Sequence, residues 1–321
     1  MESVLVTGGA GFIGSNITEA LLLRGYRVVV LDDLSTGRME NILDIQGRDN
    51  LKFIQGSILD SGLLRSIIKS DGITRISHQA AVASVSKSII DPVKTVETNV
   101  SGTANLFQIA AECGCKRIVF ASSSSIYGDA PELPKREDMA PCPKSTYAMS
   151  KASKEMLGSV FSGLYNIEIV GLRYFNVYGR RQDPASDYAA VIPKFITKAL
   201  GNEQVPIEGD GGQTRDFVYI DDVVNANLMA LLNKNVCGSV FNIANGERTS
   251  ILDLAKAIIE ITGSTSEIVF KPARSGDIRD SVGDIKQAKE HLGFLKEYNI
   301  KKGIAETVAW YRDRAGKLCA A

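Results

Sequence analysis

Three features of the sequence predict an α/β fold built on a doubly wound parallel sheet. Apolar runs of strand length alternate with helix-length segments up to about residue 179, the order that right-handed crossovers between parallel strands require. The first run, SVLVT, passes into a glycine-rich turn, TGGAGFIG, that opens a helix. The second run, YRVVVLDD, ends in two acids, at the strand edge where such sheets meet their ligands. Residues 1–179 are therefore expected to form a Rossmann-type sheet domain. Residues 180–321, where the alternation loosens, should form a smaller mixed α/β C-terminal substrate domain.

The elements follow in order. SVLVTGG is a short apolar run suited to a buried parallel strand. FIGSNITEALLLRG has Ile13, Ile17 and Leu21 at helical spacing and is closed by Gly25. YRVVVLDD and LKFIQGS read as strands, SGLLRSIIKSD as a helix, and RISHQAA as the next strand, in which His78 is a packed histidine. Asp91 to Cys113 reads as one long helical stretch, KRIVFASSS as a strand, STYAMSKASKEMLGSVFSGLY as a helix and IEIVGLRYFNVYG as a single strand. Beyond Gly179, RRQDPASDY is a polar loop and AAVIPKFITKALGN a helix with a proline near its start. VPIEGDGGQTRDFVYIDDV holds short strands and glycine turns, and DDVVNANLMALLN is helical. The apolar run near 238–245 is expected to rejoin the first sheet, and SILDLAKAIIEITG is a helix with Ser250 as its N-cap.

Composition narrows the function classes. The chain has 321 residues, 44% of them apolar, with 37 basic and 37 acidic residues, enough for a large core. A balanced charge without basic runs argues against a nucleic-acid binder. Five cysteines without metal-ligand spacing are expected to be reduced and mostly buried, and two histidines give no basis for a metal site. The N-terminus already reads as a strand rather than a signal peptide, and no apolar run is long enough for a bilayer. A soluble cytoplasmic protein is expected.

The glycine turn carries the first chemical signal. Gly8, Gly11 and Gly14 stand at G-x-x-G-x-x-G spacing between strand and helix. Glycine lets the backbone turn tightly and approach a pyrophosphate at a helix N-terminus. Asp32 ends the second strand, where a carboxylate can hold both ribose hydroxyls and repel a 2′-phosphate. NAD is thus favoured over NADP. A second signal is YAMSK, with Tyr147 and Lys151 at i and i+4 on one helix face. A phenol titrates near ~10, and a nearby ammonium with a cationic nicotinamide is expected to lower that value, making a base for a sugar hydroxyl. Between the two signals lies SSSSIYG, Ser122 to Gly128, at a strand end.

With all three in place, the chain resembles the extended short-chain dehydrogenase/reductase family over essentially its whole length. The shared segments include TGGAGFIG, LDDLSTG, HQAA, NVSGTANLF, SSSSIYG, YAMSK, LRYFNVYGRRQDP, GDGGQTRDFVYIDD, NIANGERTS and RSGDIRDS. Within that family it is most similar to nucleotide-sugar 4-epimerases, those acting on UDP-N-acetylglucosamine above all. The resemblance implies a catalytic serine four residues before Tyr127, which is Ser123, acting with Tyr147 and Lys151. Ser124 would line the sugar pocket, while Ser122 and Ser125 are structural. Related 4,6-dehydratases carry Asp and Glu where this chain has Ser124 and Ser125, so water elimination is disfavoured.

The same resemblance implies that Gly8, Gly11, Phe12, Ile13, Gly14, Asp32, Asp33, Leu34, Gly37, Ser57, Ile58, Gln79, Ala80, Ala81, Asn99, Tyr147, Lys151 and Tyr174 surround NAD. Ser57 replaces the Asp usual in relatives. For a UDP-sugar it implies Ser84, Ser123, Ser124, Tyr147, Asn176, Gln182, Ala190, Val191, Pro206, Glu208, Arg215, Arg274, Asp277 and Ser281. The guanidinium forks of Arg215 and Arg274 suit a diphosphate. Ser281 stands where a tyrosine closes the pocket in epimerases restricted to glucose and galactose, and so predicts room for a 2-acetamido group. The expected reaction is inversion at C4 through a 4-keto sugar, with NAD retained, in a homodimer formed through helices near 91–113 and 145–165. Four other readings stay open. They are an epimerase confined to UDP-glucose and UDP-galactose, a UDP-glucuronate 4-epimerase that uses Arg180 and Arg181, a dehydrogenase that releases NADH, and a silent nucleotide-binding scaffold.

Overall fold

The computed structural model describes residues 2–43, 45, 47–184, 190–232, 236–273 and 279–320. Its strands are β1 (Ser3–Thr7), β2 (Arg27–Asp32), β3 (Leu51–Gln55), β4 (Ile73–His78), β5 (Arg117–Ser123), β6 (Glu168–Tyr174), β7 (Asn176–Tyr178), β8 (Val205–Glu208), β9 (Thr214–Arg215), β10 (Phe217–Tyr219), β11 (Val240–Ile243), β12 (Thr249–Ser250) and β13 (Ile268–Lys271). The α-helices are α1 (Phe12–Leu23), α2 (Glu40–Leu43), α3 (Ser61–Ser70), α4 (Val85–Ile90), α5 (Pro92–Val96), α6 (Gly102–Glu112), α7 (Thr146–Leu164), α8 (Val191–Leu200), α9 (Ile220–Leu232), α10 (Ile251–Thr262) and α11 (Ile300–Ala320).

Seven strands form one parallel sheet in the order β11-β6-β5-β4-β1-β2-β3. The order reverses between β1 and β4, which opens a crevice at their carboxyl ends. Strand periodicity sends alternate residues to opposite faces. Val4, Val6, Val28, Val30, Val119 and Val170 pack on the face of α1 and α9. Leu5, Val29, Leu31, Ile76, Ile118 and Phe120 pack with residues of α3 and α6, and Leu157 and Phe161 of α7 lie against them. The first apolar cluster continues without a break into the C-terminal part through Phe195, Ile207, Leu254 and Phe294. The Rossmann-type sheet with flanking helices is as the sequence predicts.

Two local expectations are corrected. The run Ile167–Gly179 is two strands, because the chain changes partner at Phe175. The Phe175 N–H donates to Ile243 O (3.0 Å), and the next N–H, of Asn176, donates to Asp216 O (3.1 Å). Segment β7 then pairs with β10 outside the large sheet. The stretch from Asp91 to Cys113 is helical throughout as expected, with Asp91 as N-cap and Cys113 as C-cap, and it holds a π-helical turn, Glu97–Ser101. Cysteines are less buried than expected: Cys115 is buried and Cys113 half-buried, but Cys142 and Cys237 are exposed. Lys154, which the sequence reading did not single out, is wholly buried. No described helix is long and apolar enough to cross a membrane.

Candidate active site

The glycine turn is shaped first by its own packing. A Cβ at Gly14 would lie 2.1 Å from Gly8 O, and one at Gly8, where φ is +68°, would lie 2.6 Å from Ala80 N. These two glycines let α1 and the end of β4 close on the turn. Gly11 differs, since a Cβ there would meet only Gly8 O at 3.2 Å. It is the N-cap of α1 and provides no side-chain cap, and the first turn of that helix carries no acid. Phe12 and Ile13 therefore begin a helix whose N-terminal N–H groups suit an anion.

Asp32 sits beside this turn. Its Oδ2 accepts from Ala10 N (2.9 Å) and its Oδ1 from Leu34 N (2.8 Å). Each oxygen keeps a further lone pair for a ribose hydroxyl. Burial pushes its carboxyl up, and the two backbone donors pull it back down. A Cβ on Gly37 would come within 2.6 Å of Asp32 Oδ1, so only glycine leaves this carboxylate room. Asp33 is exposed and binds Ser35 instead. Ser57 is half-buried, with its hydroxyl accepting from Leu59 N (3.2 Å). Ile58 is buried against Gly102.

A buried polar chain joins this region to α7. Thr103 donates to Asn99 O (2.6 Å) and so must accept from His78 Nε2 (3.0 Å). His78 Nδ1 is then the acceptor for Thr7 Oγ1 (2.7 Å). The ring is a neutral Nε2–H tautomer, and burial, then Lys154 and Lys151, hold its pKa far below the usual histidine range. Asn99 bonds both Val82 N (2.8 Å) and Val82 O (3.2 Å), and donates to Ser150 Oγ (2.9 Å). Its side chain thus ties the loop after Ala80 and Ala81 to α7. On the neighbouring strands, the Tyr174 hydroxyl meets Gln79 Oε1 (3.3 Å) and Asn227 Oδ1 (3.0 Å). The sequence reading did not single out Asn227, because nothing local marks a helix asparagine as a strand partner.

Ser123, Tyr147 and Lys151 come together at the carboxyl end of β5. Ser123 caps the short 3₁₀ turn Ser124–Tyr127, its Oγ accepting from Ser125 N (3.1 Å). Helix α7 is capped by Ser145, which accepts from Ala148 N (3.1 Å) and fixes where Tyr147 begins its first turn. Burial pushes the Tyr147 phenol up, and a side-chain hydrogen bond with Ser123 pulls it down. Lys151 donates to Ala121 O (2.9 Å), 5.5 Å from the centre of the Tyr147 ring. Burial lowers its ammonium to about 8, and Glu155 acts in the opposite sense. The expected lowering of Tyr147 by Lys151 is therefore corrected for the protein alone: the ammonium is turned to a carbonyl, and desolvation prevails.

A cleft of ≈ 310 Å³ lies in the C-terminal part. Asn176, Ala190, Val191, Pro206, Glu208 and Arg215, all named from the sequence, line it together. Asn176 Nδ2 is oriented by Asp216 O (2.8 Å). Lys194, Gln213, Phe217 and Lys271 also line it; Gln213 and Phe217 flank Arg215 in the segment GDGGQTRDFVYIDD, whereas Lys194 and Lys271 belong to no recognisable local motif. Ser281 runs alongside, its N–H donating to Thr214 O (3.2 Å). Gln182 and Ser84 do not line this cleft. Gln182 Nε2 donates to Val177 O (3.2 Å), and Ser84 is the N-cap of α4. Arg274 and Asp277 lie outside the described residues. Among the described residues no group of three or more His, Cys, Asp or Glu is placed to hold a metal.

Comparison with known proteins identifies the family. The model of the NAD dependent epimerase/dehydratase family matches residues 4–244. The UDP-glucose 4-epimerase of Mycolicibacterium smegmatis is 38% identical over 97% of this chain and 99% of its own. The crystal structure of the Thermotoga maritima UDP-glucose 4-epimerase with UDP-glucose superposes with a TM-score of 0.92 at 39% identity, covering 98% of this chain and 99% of that one. The UDP-N-acetylglucosamine 4-epimerase of Methanobrevibacter ruminantium M1, in complex with UDP-N-acetylmuramic acid, gives 0.92 at 36% identity over the same shares. With an uncapped helix start at a glycine turn, an acid beside it and a Ser–Tyr–Lys set on the adjoining strand and helix, this chain is an NAD-using enzyme that belongs to the NAD dependent epimerase/dehydratase family.

Proposed function

We propose that this UDP-sugar 4-epimerase interconverts UDP-N-acetylglucosamine and UDP-N-acetylgalactosamine, and also UDP-glucose and UDP-galactose. The observation that carries the reading is the convergence of Ser123, Tyr147 and Lys151, a hydroxyl, a phenol and an ammonium able to exchange a proton with a sugar O4. The turn Gly8–Gly14 and Asp32 would hold NAD, which when bound supplies the acceptor and donor of the C4 hydride. Tyr147 takes the O4 proton while Ser123 orients that oxygen, and Lys151 supplies the charge that favours phenolate. Arg215, with Lys194 and Lys271 nearby, would hold the diphosphate. Binding through the unchanged UDP leaves the sugar free to present either face without release.

The N-acetyl preference rests on Ser281, a small, partly exposed residue beside the cleft-lining β9. Ser281→Tyr is expected to lower kcat/KM for UDP-N-acetylglucosamine by roughly 10- to 100-fold relative to UDP-glucose. Products followed by NMR check this, and an unchanged ratio would remove Ser281 from the specificity argument. The two arginines named for the uronate reading are engaged within the protein. Arg180 pairs with Asp221 (2.6 Å) and the buried Arg181 with Glu19 (2.8 Å), so each guanidinium already holds a carboxylate of the protein.

The lobes are proposed to divide at 179/180, with β11 returning to the sheet. A homodimer is supported by an apolar face. Val85, Ile89, Ile90 and Val93 on α4 and α5 are exposed, as are Met149, Met156, Val160 and Leu164 on α7. The α7 residues recur at helical spacing and form one stripe, and such a patch marks an interface. Met156→Glu with Val160→Glu is expected to give a folded monomer in sedimentation velocity; a wild-type monomer would end this proposal.

A further inference from the structure

We propose that Glu155, Arg173 and Ser122 are positioning residues that clamp the helix bearing Tyr147 and Lys151 onto the strand bearing Ser123. The inference rests on the reading of those three as the reacting set. Tyr147, Lys151 and Glu155 stand at i, i+4 and i+8 on α7, one stripe on the helix surface. Glu155 meets Arg173, on β6, through two parallel hydrogen bonds. Arg173 Nε donates to Oε1 (2.9 Å) and Nη2 to Oε2 (2.8 Å). Ser122, the residue before Ser123, donates its hydroxyl to the same Oε1. Both charged side chains are buried, with 5% exposure for Arg173 and 9% for Glu155.

The remaining valences are used as well. Arg173 Nη1 donates to the Tyr127 hydroxyl (2.7 Å) and to Glu137 O (3.2 Å), and Tyr127 donates to Asn242 Oδ1 (2.7 Å). The pair therefore stitches α7 to β5, β6 and β11 and to the segment that leads into α7. A buried ion pair adds little net stability over apolar residues of the same shape, whereas its fixed geometry holds the reacting groups where small displacements are costly. The clamp also acts on charge. Groups facing Lys151 are the Tyr147 phenol, the Ala121 carbonyl, Glu155, Lys154 and the neutral His78. Of these only Glu155 is an anion. Its loss should make Lys151 give up its proton at lower pH.

The test uses the NAD-loaded protein with UDP-galactose, and measures kcat and KM from about pH 6 to 10, the span over which these groups titrate. Ser122→Ala is expected to lower kcat roughly tenfold with KM unchanged. In Glu155→Gln the alkaline limb of kcat/KM should move down by roughly one pH unit, with activity partly regained at lower pH. Should Glu155→Gln not fold, Glu155→Gln with Arg173→Met removes both charges together and should show the same displaced limb. A folded variant of either kind with the wild-type limb overturns the clamp. Lys151→Met is run in parallel. An undiminished rate there overturns the catalytic assignment and the clamp with it, whereas a collapsed rate with an unmoved limb in Glu155→Gln overturns the clamp alone.

Discussion

Tyr147→Phe is expected to lower kcat by roughly 10²- to 10⁴-fold, the range for a lost general acid–base. The fold and cofactor content should be unchanged. The ring of Tyr147 stays half-buried at the start of α7, and phenylalanine keeps that packing. What it removes is the hydroxyl that shares a hydrogen bond with Ser123. Because the lost group acts on the reacting oxygen rather than on UDP, KM should change little. Single-turnover NMR on the NAD-loaded variant checks this. A rate within a few fold of wild type would take Tyr147 out of the mechanism. The wild-type profile should also fall above about pH 8, where Lys151 loses its proton. Alkaline solution would otherwise favour phenolate, so a rate that climbs steadily through this range would show that the ammonium is not needed.

The second large effect is on stability. Lys154 is 0% exposed, and its Nζ has no hydrogen-bond partner among the described residues. The Phe120 ring lies 5.8 Å away. Burial, reinforced by Lys151, holds its pKa far below the lysine value. The folded protein therefore carries a neutral amine where the unfolded chain carries an ammonium. Lys154→Met fills similar volume without a polar group, and should stabilise the fold by roughly 1–3 kcal/mol from the amine alone. The pH dependence has a definite sign. Between the lowered folded pKa and the unfolded value near ~10.4, the unfolded chain binds one more proton, so wild-type stability rises with pH. The variant lacks that slope, and its advantage is greatest in acid and shrinks toward about pH 10. Urea melts at several pH values check both points; a variant less stable than wild type in acid would show that Lys154 has a partner or a purpose in the core.

Most of the sheet was legible because each strand and its following helix are specified locally. The apolar run of Val4–Val6, the glycine punctuation at Gly8 and Gly25, and the cap at Ser250 act within one turn of chain. Tyr147 and Lys151 were legible for the same reason, since helical spacing alone puts them on one face. What could not be read is what depends on partners remote in sequence. Nothing near Phe175 announces that its neighbour changes strand partner, because Ile243 and Asp216 supply the acceptors. The cleft draws Lys194, Gln213, Phe217 and Lys271 from separate elements. Glu155 was not singled out from the sequence, because its tie to Arg173 exists only once α7 packs against β6.

The partner change at Phe175 bears on how such a protein can be divided. Strand β11 lies well beyond Gly179 in the chain, yet it forms the outer edge of the sheet against β6. A fragment ending at Gly179 would leave the backbone of β6 unsatisfied along one side and uncover Val170 and Leu172. Residues 1–179 are therefore not a portable module, since they cannot be exchanged or grafted without carrying β11 along.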